Sequence, residues 1–446
     1  MSRTHGGSFA TANPLAAAVR DAAPSDAVRW VVSLALFSPI ILYYAAHFFF
    51  AAPGITFTGF VQYDQASYMA DARAFFAGGH FHFLYGLPFS PNPATPHVYF
   101  QPLLLLLGIV QHLTHADPGL VYVVAGLVFG VLCCRVFVEC YDEVIGLAGP
   151  ARRLGLVCFV WGGGVVIIAG IVHAAMLGAP ISKHLQDFGD GFGGWWFLNL
   201  GRNLVFPVEA FYHLVFFGGV LLVLRRRFIG ALLCVVLLSM SHPFSGLQLI
   251  LVLGAWAAAE TVFRSAARPP LWFTAGLAVT GALHLGYYLV FLPYASPEHR
   301  VLEQQWALPW LYHYWNFLAS DGLVASLAAA ALILQWRKHG HIDWRQRLFI
   351  AWFAISLALA NHDLVMHPVQ PLHFTRGYIW SPLFLLGAPI LVMIFDWALR
   401  RHVGVALILC LFAFDNTIWF GLRITAAALY HNEENAITLD IAERQV

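Results

Sequence analysis

The sequence predicts an all-α polytopic membrane helix bundle, on three observations. Hydrophobic residues make up 60% of the chain and charged residues 11%, and mean hydropathy is +0.70. Apolar runs of bilayer-spanning length also recur with short polar connections between them. A water-soluble core cannot hide that many such runs, each near the ~20 residues that a membrane helix needs. Short connections argue for one continuous bundle over 29–424, with a disordered cytoplasmic tail over 1–28 and an external tail over 425–446. The first tail lacks the apolar segment of a cleaved signal. A net charge of +1 argues against nucleic acid as a partner, which calls for a basic surface. Cys133, Cys134, Cys140, Cys158, Cys234 and Cys410 fall in or beside apolar runs, without the spacing of a zinc site or disulfide framework, and are expected as small packing residues.

Arginines orient the chain, because Lys and Arg are biased to cytoplasmic loops. Clusters stand at Arg152–Arg153, Arg225–Arg227, Arg264 with Arg268, Arg337–Lys338 with Arg345 and Arg347, and Arg400–Arg401. Placing all of them inside predicts about eleven crossings, at 31–51, 120–140, 154–177, 208–224, 228–241, 245–263, 271–293, 319–336, 347–361, 378–397 and 402–420. The N-terminus is then cytoplasmic and the C-terminus external, in what is expected to be a bacterial inner membrane. The apolar stretch 101–113 is excluded from the count. Its residues rise only ~20 Å against a hydrocarbon core of ~30 Å, and counting it would move Arg152–Arg153 outside. The loop 52–119 is therefore read as external, carrying two interfacial helices at 65–77 and 101–113. The run from Phe228 to Phe263 is flanked by arginine at both ends and broken by Ser241-His242-Pro243, which predicts two short spans meeting at the outer face beside a cavity.

Polar chemistry gathers in the loops predicted to be external: 52–119, 178–207, 294–318 and 362–377. In "FVQYDQASYMADARAFFAGG", residues 60–79, Tyr68, Met69, Ala72, Phe75 and Phe76 form one stripe of an amphipathic helix. Asp64 is expected at its N-cap, and Asp71 follows two turns later, ~10 Å along nearly the same face. Spacing alone favours a merely capping Asp64 together with a solvated, interfacial Asp71. His242, at the Pro-broken corner, is expected to line the cavity or to bond freed backbone carbonyls. His173, His213 and His284 are expected to be polar packing residues between helices. No HExxH or tight two-His-one-carboxylate motif accompanies the 21 histidines. Glu303 and Trp306 belong to an aromatic, polar loop whose composition is that of an interfacial belt. No internal repeat is visible, which counts against a transporter built from inverted halves.

Asp64, Tyr68, Ala72-Arg73 and Gly78-Gly79 stand in an order, just beyond the first span, that resembles the first external loop of the GT-C superfamily. These multispanning glycosyltransferases use polyprenyl-phosphate-linked sugars, and include protein mannosyltransferases and aminoarabinose lipid A transferases. "YFQPLLLLLGIVQHL" is similar to that family's Pro-containing juxtamembrane helix. "VYVVAGLVFGVLCCRVFVECYDEVIGLAGPARRLGLV" is similar to the following span, basic turn and next span. The resemblance covers roughly the first 175 residues and elsewhere only the architecture. Where many members carry Asp-Glu this chain has Asp64-Gln65, leaving one carboxylate, and Gln101-Pro102 replaces a Pro-Pro pair. The resemblance implies Asp64 as the general base that takes the acceptor's proton. It implies Arg376 and Arg202 as cations for the donor phosphate, with Asn203, His373 and Tyr378 beside them. Tyr68, Asp71, His242, Gln101, Glu303 and Trp306 would line the cavity. The partners implied are a lipid-linked sugar donor, an unidentified acceptor and membrane lipids. The resemblance names no cofactor for this chain and leaves a divalent metal open, although a single carboxylate counts against a metal-binding role. A transporter or flippase for an amphipathic solute, and a GT-C-shaped subunit without catalysis, are the alternatives.

Overall fold

In the computed structural model, which describes residues 24–53, 55–61, 63–86, 95–165, 172, 175–178, 200–305, 311–401, 415–430 and 438–440, the chain enters through helix α1 (Asp26–Phe49). Ser25 opens it, its hydroxyl accepting the Val28 amide at 3.4 Å, which satisfies one of the donors that a helix start leaves bare. Strand β1 (Ile55–Phe57) leads to α2 (Tyr63–Ala74), then α3 (Pro102–Thr114), α4 (Pro118–Val144) and α5 (Pro150–Trp161). Proline begins three of these helices, where its missing N–H has no intrahelical acceptor to lose. After a short α6 (Leu200–Asn203) come α7 (Pro207–Leu224), α8 (Phe228–Ser241), α9 (Pro243–Val262) and α10 (Leu271–Ala295). Next follow α11 (Pro297–Gln305), α12 (Tyr314–Ser320), α13 (Gly322–His339), α14 (Trp344–Ala360), α15 (Trp380–Arg401) and α16 (Asp415–Tyr430). Among the described residues the regular elements are thus helices, apart from β1, which pairs antiparallel with β2 (Thr438–Asp440).

Six of these helices, α1, α4, α7, α9, α10 and α15, are long and apolar enough to cross a membrane. The pair α12 and α13 makes a seventh if its 73° bend is counted within one span. Apolar helices in this number are those of an integral membrane protein. Helices α3 and α8 are apolar but shorter. The crossings expected at 154–177 and 402–420, the loop 178–207 and the tails 1–28 and 425–446 lie partly outside the described residues.

Helix ends collect at two poles. At one, Arg29 meets Asp142 at 2.6 Å, Arg225 meets Glu139 at 2.6 Å, Arg345 meets Glu143 at 3.1 Å and Arg347 meets Glu260 at 2.6 Å. These join the start of α1, the end of α4, the end of α7, the end of α9 and the start of α14. At the other pole α1 runs into β1, and the Thr58 carbonyl lies against Gly119 at the head of α4, where a Cβ has no room. Of the predicted stripe on and just beyond α2, Met69, Ala72 and Phe75 are buried and Tyr68 and Phe76 partly so; Gln65 is buried too. Helix α3 lies so close to α2 that a Cβ on Gly108 would meet the Ala72 carbonyl. The span expected at 319–336 is instead divided, because Ser320 ends α12 and a new helix starts at Gly322.

Candidate functional site

The segment between α14 and α15 carries the candidate cation. A 3-10 turn, Pro371–Phe374, is held from beneath by Gln248 on α9. The Gln248 amide donates to the Phe374 carbonyl at 2.9 Å and to the Ser356 hydroxyl at 2.8 Å. Two residues later Arg376 is buried and forms an ion pair with Glu209, from the first turn of α7. The His213 ring, one turn along α7, lies between the carbonyl oxygens of Glu209 and Arg376, at 2.7 and 2.8 Å. Backbone and side chain of Arg376 are therefore both tied to α7. Burial pushes its pKa down to about 10, opposed by Tyr68, Tyr378 and Asp64, so the guanidinium remains charged at neutral pH.

His373 and Tyr378 stand next to Arg376, but in supporting positions. One guanidinium nitrogen of Arg376 donates to Nδ1 of His373 at 2.8 Å, and burial pushes the imidazole pKa down to about 3. A neutral ring accepting that bond orients the guanidinium and brings no charge of its own to an anion. Tyr378 is fully buried, stacked at 4.9 Å on His213 and packed at 4.3 Å on Phe216. Gly377, at φ 77°, sits against Leu200 with no space for a Cβ, so α6 and the Arg376 segment adjoin. Arg202 and Asn203 of α6 are both buried there, and Arg202 lies within electrostatic range of Tyr43, as does Arg423.

The candidate carboxylates stand on α2, and Asp64 is the one that feels this segment. Because α2 starts at Tyr63, Asp64 lies in its first turn rather than at the expected N-cap. Asp64 is half-buried; burial raises its pKa and the charge of Arg376 lowers it, the first effect being larger. Tyr68, one turn on, feels Arg376, Asp64 and Asp71, and burial pushes its phenol up to about 12. Asp71 is half-buried and pushed up to about 7 by burial, within range of Tyr85 and Tyr99. Helix α2 thus sets Asp64, Tyr68 and Asp71 in a row, and Arg376 acts on the first two. Gln65 belongs to the other face: it is buried, and its side-chain oxygen accepts the Val61 amide at 2.8 Å.

Other predicted residues divide by what the tertiary structure asks of them. His242 caps α9, its Nδ1 accepting the Ser245 amide at 3.1 Å. This corrects the expected bond to a freed carbonyl, since a helix start frees N–H groups and not carbonyls. Its ring stacks on Tyr212 at 4.4 Å and stands 6.0 Å from His373, so it borders the same cluster. Gln101 precedes α3 without capping it, and its side-chain oxygen is buried with no protein partner among the described residues. Glu303 lies on α11, but its side chain and Trp306 fall outside what is described. The same helix touches the first long loop, where Tyr99 and His299 meet at 3.1 Å and Thr95 donates to Glu298 at 2.9 Å. His284 pairs with Ser239 at 2.8 Å between helices, in keeping with a packing role.

Among the described residues no three His, Cys, Asp or Glu side chains gather as a metal ion would require. Asp64 and Asp71 are two turns apart, ~10 Å along the axis, too far to share an ion whose oxygen ligands lie ~2.0–2.6 Å from it. Asp64 and Asp71 therefore do not share one ion.

Glu209, Gln248 and Ser245 were not singled out from the sequence. An acid inside "FPVEAFYHLVFF" was the available signal for Glu209, because an ionisable residue in an apolar run needs a partner. No family model matches the chain, and no curated protein matches it.

Proposed function

We propose that this protein is a membrane glycosyltransferase that moves a sugar from a polyprenyl-phosphate donor to an acceptor at the external membrane face. The observation that carries the reading is Asp64 within electrostatic range of Arg376: a half-buried carboxylate facing the charge of a guanidinium anchored through both its side chain and its backbone. Their roles follow from the chemistry. As the acceptor hydroxyl forms its bond to the anomeric carbon, Asp64 takes its proton, and the bond from that carbon to the phosphate oxygen breaks with its electron pair. Arg376 receives the developing charge on the phosphate. A carboxylate raised by burial is better matched to this proton transfer at neutral pH than an ordinary one. Glu209 neutralises Arg376 at rest, so the donor phosphate competes with Glu209 for the guanidinium, and Arg202 on the adjoining α6 is the second cation.

The eleven-crossing arrangement with a cytoplasmic N-terminus belongs to this proposal. It is supported by the ion-paired pole, which holds Arg29, Arg225, Arg345 and Arg347, and by the pairing of β2 with β1 at the far end of α1. Start and end of the described chain then lie on opposite sides, as an odd number of crossings requires. The external face thereby holds Asp64 and Arg376.

One observation favours a transporter instead: Asp321 is buried at the 73° break between α12 and α13, bonded to the Tyr312 hydroxyl at 2.9 Å. Helix α13 has 18 residues, ~27 Å at 1.5 Å each, so it covers most of the hydrocarbon core unaided. The break thus falls at one edge, not at the midplane where a transport site is expected, and it weighs less than Asp64 within range of Arg376.

The test is transfer from a panel of defined polyprenyl-phosphate sugars by purified wild-type and Asp64→Asn protein. The variant should lose ~10²–10⁴-fold in rate, the share a positioned general base supplies. Equal rates would remove Asp64 from the chemistry, and no transfer from any donor would favour the transporter or a non-catalytic subunit.

A further inference from the structure

A polar pocket opens where α2 and α3 end, nine residues along α2 from Asp64, and thus ~13 Å from it along the helix axis. It holds about 320 Å³ and is lined by Arg73, Phe76, Gln111, His112 and His115 among others. We propose that it binds the phosphodiester headgroup of an anionic membrane lipid.

The lining carries the chemistry of a phosphate site. Arg73 is exposed in the last turn of α2, and a guanidinium can grip two phosphate oxygens at once. His112 stacks flat on Phe76 at 4.3 Å and 9°, which fixes its ring, and His115 stands 6.4 Å away. His115 takes a left-handed backbone conformation at φ 52°, which turns the chain at the pocket rim. The side-chain oxygen of Gln111 is buried with no partner among the described residues, so a hydroxyl or water carried in by a headgroup would satisfy it. Two helix C-termini oppose an anion here, but each brings only about half a charge. Part of that is already answered, since the Gln111 carbonyl accepts the His115 amide at 2.8 Å and the Val110 carbonyl accepts the Thr114 hydroxyl at 2.8 Å. The full charge of Arg73 outweighs what remains.

Why a lipid and not a free anion follows from the other side of α3. Leu106, Ile109, Val110 and Leu113 are exposed along it, Leu113 to 74%, and the last three each adjoin a residue of the pocket lining in sequence. A headgroup in the pocket leaves its acyl chains lying on this apolar row. The volume sits at the low end for ligand pockets and fits a headgroup, not a whole lipid. Arg73 belongs to the Ala-Arg pair of the opening loop, and the proposed transfer reaction gives it no role.

The experiment is lipid binding to the full chain in detergent micelles, followed by native mass spectrometry, with no turnover involved. Phosphatidylglycerol should bind about tenfold more tightly than phosphatidylcholine, and Arg73→Gln should remove that preference, one lost charge-assisted contact being worth about a factor of ten. Arg73→Lys and Asp64→Asn should retain it, and His112→Ala should weaken it. Unchanged preference in Arg73→Gln would overturn the proposal. So would displacement of phosphatidylglycerol by inorganic phosphate at equal concentration, which would mark a site for a free anion.

Discussion

Replacing Glu209 with glutamine tests how the site holds its cation. The side chains of Glu209 and Arg376 are 5% and 7% exposed, so the change leaves a guanidinium buried beside a neutral amide of the same shape. Removing one partner of a buried ion pair costs ~3–5 kcal/mol, because the other charge stays desolvated and uncompensated. Asp64 is a residual counter-charge for Arg376, which places the expected loss at the lower end, ~3 kcal/mol, or roughly a 150-fold fall in the ratio of folded to unfolded protein. Denaturant titration in detergent, followed by the fluorescence of the 15 tryptophans, reads this directly. The double variant Glu209→Gln, Arg376→Met removes both charges and should recover most of the loss, with a coupling energy above ~1 kcal/mol. A single-variant effect within ~0.5 kcal/mol, or a cycle that is additive, would refute the buried-pair reasoning.

Two further outcomes follow from α2. Burial holds Asp71 protonated up to about pH 7, so the folded state binds more protons than the unfolded chain between the ordinary carboxylate range and that pH. Stability should therefore fall as pH rises through this window, and Asp71→Asn should flatten the slope; melting curves across pH check it, and an unchanged slope would remove Asp71 as the cause. Gly108→Ala would drive a methyl group into the Ala72 carbonyl and force α3 off α2. The expected cost is ~1–3 kcal/mol, as for other overpacked contacts, and an unchanged melting temperature would show that the two helices do not depend on this approach.

Composition and periodicity by themselves determined that this is a membrane protein of apolar helices. They also placed α2, α3 and the Ser241-His242-Pro243 corner to within a few residues, because bilayer length, the 3.6-residue repeat and the missing N–H of proline are local properties. The face of α2 was legible for the same reason: Met69, Ala72 and Phe75 are buried as their spacing predicts. The break at Ser320–Gly322 was not, since "FLASDGLVASLAAA" reads as a continuous apolar run but for one acid, and burial of Asp321 against Tyr312 depends on what packs there. Asp64 and Arg376 were each chosen from local chemistry. Only the tertiary structure brought them within range of each other, set Glu209 and His213 around the guanidinium, and turned His373 into a neutral acceptor. The physical reason is that helix pattern is written in neighbouring residues, whereas a buried charge takes its partner from whichever distant segment folding presses against it.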